Sequence, residues 1–365
     1  MSPLSSNPLQ MQSRAELIHT LTSQETFVEP LLLPLDQWTL EIVCNSEAMR
    51  QELAGYFSAL LDTPPQKKRM QIKVVDGPLF ESGQPLTKQA PAPGRKIKEE
   101  WLDIKGGRIV RKLKTGMVMI FGEEENLVTG PCLQYPNQVV NFINNRFIEL
   151  KLNQGALLGH AAAVRLREKG IALAGFSGMG KSTLALHLMS AGADFVSNDR
   201  LLIEAAGEGG LEMTGVAKWP RINPGTALHN PALAGVMSPE EKKRFSQLPQ
   251  EKLWQLEHKF DALIEECYGP NRFQLSSAME YLILLNWRFG AGPMVATKID
   301  LEKRRELLPA IMKNSGLFFI PQSGVPKNQP EERYLELLSR CRVLELSGGA
   351  DFDQAVQVVD SWIQS

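Results

Sequence analysis

Apolar positions at Val139, Val140, Ile143, Phe147 and Leu150 fall on one face of a helix, and Pro136 stands where such a helix begins, so residues 137–152 are predicted helical. Most other apolar runs are short and strand-like. Trp38–Cys44 reads as a strand, followed by a helix capped by Asn45 or Ser46 with Glu47 in its first turn. Residues 70–75, MQIKVV, are a second strand, and strand-type residues on both sides of Gly106-Gly107 suit a β-hairpin. The stretch GALLGHAAAVRLREKGIALAG gives two strands joined at Glu168 to Gly170, the second running into a glycine-rich segment. STLALHLMSAG then reads as a helix ending at Gly192, ADFVSND as a strand, and YLILLNW (281–287) as an apolar strand. A last strand and helix follow in RVLELSGGADFDQAVQVVDSWI.

Less regular segments complete the picture. Residues 1–25 are polar and Ser/Gln-rich, an arm or short helix; residues 87–96 read as an exposed loop; Ser238 to about Glu266 reads as a helical insert. A boundary near residue 130 divides an α+β domain over 26–130 from an α/β domain over 131–365. There is no internal repeat and no low-complexity tract.

Composition narrows the class. The chain has 365 residues, 43% hydrophobic and 22% charged, with a formal net charge of -1, so nothing global draws it to nucleic acid or membrane. One bias is local: residues 64–114 hold thirteen Lys and Arg against five acidic residues, which reads first as the solvated surface of a β-rich domain and second as docking for an acidic partner. Cys44, Cys132, Cys267 and Cys341 are far apart, which argues against a structural zinc site or a disulfide framework. No apolar stretch approaches the ~20 residues that span a bilayer, and no secretory leader is visible, so a cytoplasmic location is expected.

The chemistry concentrates at AGFSGMGKST (174–183), where Gly175, Gly180, Lys181 and Ser182 fit the Walker A spacing G-x-x-x-x-G-K-[ST]. In a strand–loop–helix setting, the backbone of Gly175, Ser177, Gly178, Met179 and Gly180 and the positive end of the helix cradle phosphate oxygens. Lys181 then lies against the β- and γ-phosphates, Ser182 ligates Mg2+, and Thr183 completes the nucleotide site. Asp199 ends the strand after the loop helix and could hold Mg2+ or take the proton of an attacking hydroxyl. His160, on the strand before the loop strand, gains weight only beside Lys181 and Asp199. Arg221 and Asn223 are candidates for phosphate or Mg2+, against a structural turn made by Pro220 and Pro224; Arg272 and Arg288 are further candidates to neutralise phosphate charge.

Taken together, GHAAAV, GFSGMGKST and SNDR resemble the catalytic core of the HPr kinase/phosphorylase family, P-loop kinases whose core also resembles phosphoenolpyruvate carboxykinase. The wording GVAKWPRINPGTALHN and ELSGGADFDQAV is closer to HPr-kinase-related proteins of unassigned substrate. The resemblance covers mainly residues 156–230. It implies a P-loop kinase core of mixed sheet with flanking helices, ATP and Mg2+ as cofactors, Asp199 as general base toward a Ser/Thr-type hydroxyl, His160 close to the transferred phosphoryl group, and a ring-like or dimeric assembly. Two departures stand out: Asn198 occupies the place of the first acid of an Asp-Asp pair, and the glutamate that adds a Mg2+ contact has no counterpart in WPRINPG, which tells against a reverse phosphorylase reaction.

The leading expectation is therefore a kinase acting on a hydroxyl of a protein partner, with no nucleic-acid or membrane partner. A GTPase switch is the alternative, since TKID (297–300) imitates the guanine motif N-K-x-D, although no D-x-x-G follows the loop. A non-catalytic nucleotide-binding scaffold, a kinase of a small-molecule hydroxyl and, more remotely, a carboxykinase-like enzyme complete the set.

Overall fold

The computed structural model describes residues 13–80, 85–90, 96–249, 252–253, 256 and 258–365. The fold is mixed α/β, and the chain divides into two compact units, Met1–Glu149 with Gly316–Ile320, and Leu150–Ser315 with Pro321–Ser365. The division falls inside the helix Pro136–Asn153, which includes the predicted span 137–152.

The first unit is built on an eight-stranded sheet of β1 (Leu31–Leu35), β2 (Trp38–Cys44), β3 (Lys68–Asp76), β4 (Thr87–Lys88), β5 (Glu99–Ile104), β6 (Gly107–Lys112), β7 (Val118–Phe121) and β8 (Glu125–Gly130). Its strand order is β1-β2-β3-β8-β7-β6-β5-β4, with β2, β3 and β8 parallel. The Ser46 hydroxyl, rather than Asn45, caps the helix Glu47–Tyr56 by accepting from the Met49 amide. The expected hairpin is β5–β6, and Gly106 at φ 80 supplies its left-handed turn residue. The strand partners Glu99–Lys112, Glu100–Arg111 and Asp103–Arg108 are all ion pairs, and Lys73 pairs with Glu125. Part of the basic bias is thus balanced strand against strand, each pair contributing about 0.2–1 kcal/mol. The N-terminal arm becomes a helix, Arg14–Thr22, closed by a Ser13–Glu16 capping box; its residues 1–12, and 91–95 of the expected loop, lie outside the described residues.

Deep in this unit the Arg146 guanidinium is fully buried 4.0 Å from the Phe121 ring centroid, 2.9 Å from Glu149, and donates to the Phe318 carbonyl. Glu149 also accepts the Ile320 amide at 2.9 Å. Burial pushes the Glu149 carboxyl up and the Arg146 guanidinium down, and their mutual attraction opposes both shifts.

The second unit holds β9 (Leu157–Gly159), β10 (Ala161–Leu166), β11 (Lys169–Gly175), β12 (Asp194–Ser197), β13 (Leu201–Ala205), β14 (Leu211–Gly215), β15 (Arg221–Ile222), β16 (Phe260–Asp261), β17 (Ser276–Ala278), β18 (Tyr281–Arg288), β19 (Met294–Lys298) and β20 (Arg342–Gly349). A six-stranded sheet runs β12-β10-β11-β18-β20-β19, a four-stranded sheet β17-β14-β13-β9, and β15 pairs with β16. β11, β18 and β20 are parallel inner strands, and the apolar runs IALA in β11 and YLILL in β18 follow from both faces being covered. Leu157, Ala163, Ala172, Val196, Leu282 and Leu284 belong to the resulting core.

Two expectations change. The β10–β11 turn is Arg167–Glu168, both left-handed at φ 50 and 64, while Gly170 lies within β11, where a Cβ would meet the Ala278 carbonyl at 1.7 Å. The insert from Ser238 to about Glu266 is not one helix. It comprises the helix Pro239–Ser246, strand β16 and the start of the helix Ile264–Tyr268, with residues 250, 251, 254, 255 and 257 outside the described set. Among the described residues no helix is long and apolar enough to cross a membrane.

Candidate functional site

β11 ends at Gly175, and the chain turns through Phe176–Gly180 into the helix Lys181–Ser190. Gly178 and Gly180 have φ 84 and 83, a conformation that side chains with a Cβ adopt at a cost. At Gly180 a Cβ would also lie 2.7 Å from the Phe352 ring, and at Gly175 it would lie 3.0 Å from Leu285. The loop is braced from behind: the Trp287 indole donates to the Met179 carbonyl at 2.9 Å, and Trp287 meets Phe352 edge-on at 5.2 Å. Ser177 and Gly178 are exposed and Ser182 is half-buried, and the first amides of the helix have no partner within it. Thr183 is buried, its hydroxyl 3.0 Å from that of Thr226.

Lys181 is buried, and its ammonium donates to the carbonyls of Gly175 at 2.7 Å and Phe176 at 3.4 Å. Burial lowers its pKa to about 8; the Asp199 charge opposes that shift and the Lys313 charge adds to it.

Asp199 stands two residues beyond the end of β12 rather than in it, because the chain bends there and the Ser197 hydroxyl donates to the Arg200 carbonyl at 2.5 Å. His160 is likewise not within a strand. It occupies the switch between β9 and β10, where the chain leaves the four-stranded sheet for the six-stranded one, and its amide donates to the Ile311 carbonyl at 2.6 Å. These two corrections bring the side chains together: His160 Nε2 lies 3.1 Å from Asp199 Oδ1.

The other oxygen of Asp199 is held by Lys313, Nζ to Oδ2 at 3.2 Å. Burial alone would raise the Asp199 carboxyl, but the hydrogen bond from His160 and the charge of Lys313 outweigh it and hold the group well below the usual carboxylate range. Lys218 is a further cation here; burial lowers its pKa, with repulsion from Arg200, Arg221 and Lys313 adding and attraction to Asp199 opposing. The site is therefore one carboxylate among several cations, an arrangement that attracts anions.

Lys313 and Lys218 escape sequence reading. Lys218 stands inside GVAKWPRINPG with no spacing that singles it out, and Lys313 lies outside every motif, brought here by backbone ties of Met312 to Gly159 and of Lys313 to Leu158. Of the other candidates, Arg221 is exposed and paired with Asp261 at 3.1 Å, and Asn223 caps the helix Pro224–Leu228 by accepting from the Thr226 amide at 2.8 Å. Arg272 binds Asp194 at 3.0 Å and the carbonyls of Met189 and Ala193, which makes it a brace for the far end of the loop helix. Arg288 is exposed at the end of β18.

TKID fails as a base-recognition motif. β19 runs antiparallel to β20, from Met294 opposite Gly348 to Lys298 opposite Leu344, so Ile299 and Asp300 lie at the edge of the sheet opposite Gly175. A guanine-reading motif must stand at the phosphate-loop edge.

Oxygen donors for a hard cation are present. Asn198 Oδ1 is buried without a hydrogen-bond partner, in the bend just past the end of β12 and next in the chain to Asp199. Among the described residues no group of three or more His, Cys, Asp or Glu side chains could hold a metal ion alone. An unpartnered oxygen such as Asn198 Oδ1 suits Mg2+, a hard cation that draws several of its ligands from phosphate and water.

No family model matches the chain, and no curated protein matches it. Among solved structures, the HPr(Ser) kinase/phosphatase from Coxiella burnetii aligns with 57% of this chain and 90% of its own length, at 9% identity and a TM-score of 0.31.

Proposed function

We propose that the protein is an ATP- and Mg2+-dependent kinase that transfers the γ-phosphoryl group to a Ser/Thr-type hydroxyl of a protein partner. One observation carries this reading: a carboxylate held anionic, Asp199, lies within the electrostatic reach of the buried Lys181 at the end of a glycine loop and a helix N-terminus. Loop amides and Lys181 would bind the phosphates, and Ser182 with the unpartnered Asn198 oxygen would hold Mg2+, which leaves Asp199 for the acceptor hydroxyl. Mg2+ supplies neutralisation of phosphate charge. In the transfer, the acceptor oxygen bonds to the γ-phosphorus as the bond to the β,γ-bridging oxygen breaks; that oxygen leaves with ADP, and the hydroxyl proton passes to Asp199. His160 would keep the carboxylate oriented, so the site contributes mostly positioning and charge neutralisation.

The GTPase alternative loses its support with TKID at the opposite sheet edge. Melting curves with Mg2+ test this directly. ATP at ~100 times its Kd should stabilise the protein by about 2.7 kcal/mol, and GTP at the same concentration should add little. Stabilisation by GTP alone would overturn the assignment.

Lys181 adds a second test. Its pKa of about 8 means that at pH 8 the free ammonium is roughly half deprotonated. A polyphosphate beside it favours the charged form, so the pKa rises on binding and ATP should take up roughly half a proton at pH 8, falling toward none near pH 6. Calorimetry in buffers of different ionisation enthalpy reads this number. Tight binding with no uptake at pH 8 would contradict the placement of Lys181 against phosphate.

A further inference from the structure

We propose that Lys313 is a phosphate-binding residue of this site, exchanging its partner Asp199 for the γ-phosphate when ATP enters. The inference rests on the kinase reading above. In the free site the Lys313 ammonium touches Asp199 Oδ2 at 3.2 Å and lies close enough to Lys181 to depress its basicity. Two ammonium groups and a carboxylate thus share the space where the loop presents its donors. A polyphosphate there would accept both cations, and the carboxylate oxygen released by Lys313 would be the one free to meet an acceptor hydroxyl, since His160 holds the other.

The backbone places Lys313 without help from its side chain. Ile311 accepts the His160 amide, Met312 bridges Gly159, and the Lys313 amide donates to the Leu158 carbonyl at 3.2 Å, which also accepts the Tyr334 hydroxyl at 2.7 Å. The side chain is therefore not a structural tie. Its ion pair with Asp199 is partly exposed, with Asp199 43% exposed, and pairs of that kind add little to folding. A cation whose backbone is held independently of its ion pair suits a group that changes partners between the free and loaded site. The arginine candidates are committed elsewhere or exposed: Arg272 braces a helix end and Arg221 holds Asp261. Lys313 supplies the charge that sequence reading sought in them.

The test compares ATP with ADP, because only ATP carries the group that Lys313 would touch. Binding of each to the full chain is measured with Mg2+, together with single-turnover loss of the γ-phosphate, for wild type, Lys313→Met and Lys313→Arg. The expected result is that Lys313→Met weakens ATP at least 10-fold and ADP less than two-fold, slows turnover at least 100-fold, and melts within a few degrees of wild type. Lys313→Arg should restore ATP binding to within about five-fold. Equal losses for ATP and ADP with a lowered melting temperature in both variants would show a structural lysine and overturn the inference. Wild-type values in Lys313→Met would also overturn it while leaving the kinase reading intact. Wild-type protein that binds neither nucleotide would instead overturn the kinase reading, and this inference with it.

Discussion

Asp199→Asn should lower γ-phosphoryl transfer about 1,000-fold, equivalent to about 4 kcal/mol of barrier, while ATP affinity changes by less than about three-fold. The substitution keeps the size and the hydrogen-bonding reach of the side chain but removes its charge. His160 Nε2 and Lys313 Nζ then face a neutral amide at the distances where they now meet a carboxylate, 3.1 and 3.2 Å. The loop groups proposed to hold phosphate, Lys181 and the amides at the helix start, are left in place. Binding and chemistry should therefore separate: a loss in kcat with KM nearly constant is the signature of a group that acts on the acceptor hydroxyl rather than on ground-state nucleotide. Steady-state kinetics beside equilibrium titration checks this. Parallel losses in both quantities would return Asp199 to a purely structural role.

Arg146→Met should destabilise the first unit by about 3–5 kcal/mol in denaturant unfolding, the largest stability change expected for any single position discussed. Glu149 is buried and would be left as an uncompensated carboxylate, retaining only the Ile320 amide. The Phe318 carbonyl loses its donor at the same time, and the rings of Phe121 and Phe142 lose the guanidinium stacked on them. Adding Glu149→Leu should recover most of the loss, because an apolar pair of similar volume avoids the desolvation penalty altogether. A double variant no more stable than Arg146→Met would show that the stacking, and not the buried charge, dominates.

The features that the sequence revealed are those whose physics is local. The glycine loop at 175–182 needs only a strand, two glycines able to turn left-handed, and a helix, all within a few residues. The helix Pro136–Asn153 declared itself by spacing and by its proline, and Trp38–Cys44 by its residue types. His160 and Asp199 were found as members of a pattern, but their placement was not legible. Each lies just outside a strand, at a sheet switch and at a bend, and such interruptions leave no periodic signal.

Lys313 was out of reach for a different reason. It sits 114 residues from Asp199 and meets it because backbone ties of Ile311, Met312 and Lys313 to the 158–160 segment bring it there, and no spacing rule encodes that contact. TKID misled because the motif says nothing of strand direction; antiparallel β19 carries it to the wrong edge. The insert after Ser238 misled because a good N-terminal cap, Ser238-Pro239 with Glu241, advertises a helix start without stating how far the helix runs. The basic stretch 64–114 owed part of its charge to ladders whose partners are visible only once β5 and β6 are in register.

Transfer of the γ-phosphoryl group to a hydroxyl is the proposed reaction. Incubating the purified protein, γ-labelled ATP and Mg2+ with extract of its own cells, followed by acid treatment of the labelled species, tests it most directly. The expected result is a protein band whose label survives acid, as a Ser or Thr ester does, and which is absent with Asp199→Asn. A label lost in acid, equal labelling by wild type and Asp199→Asn, or tight ATP binding with no labelled species would contradict it.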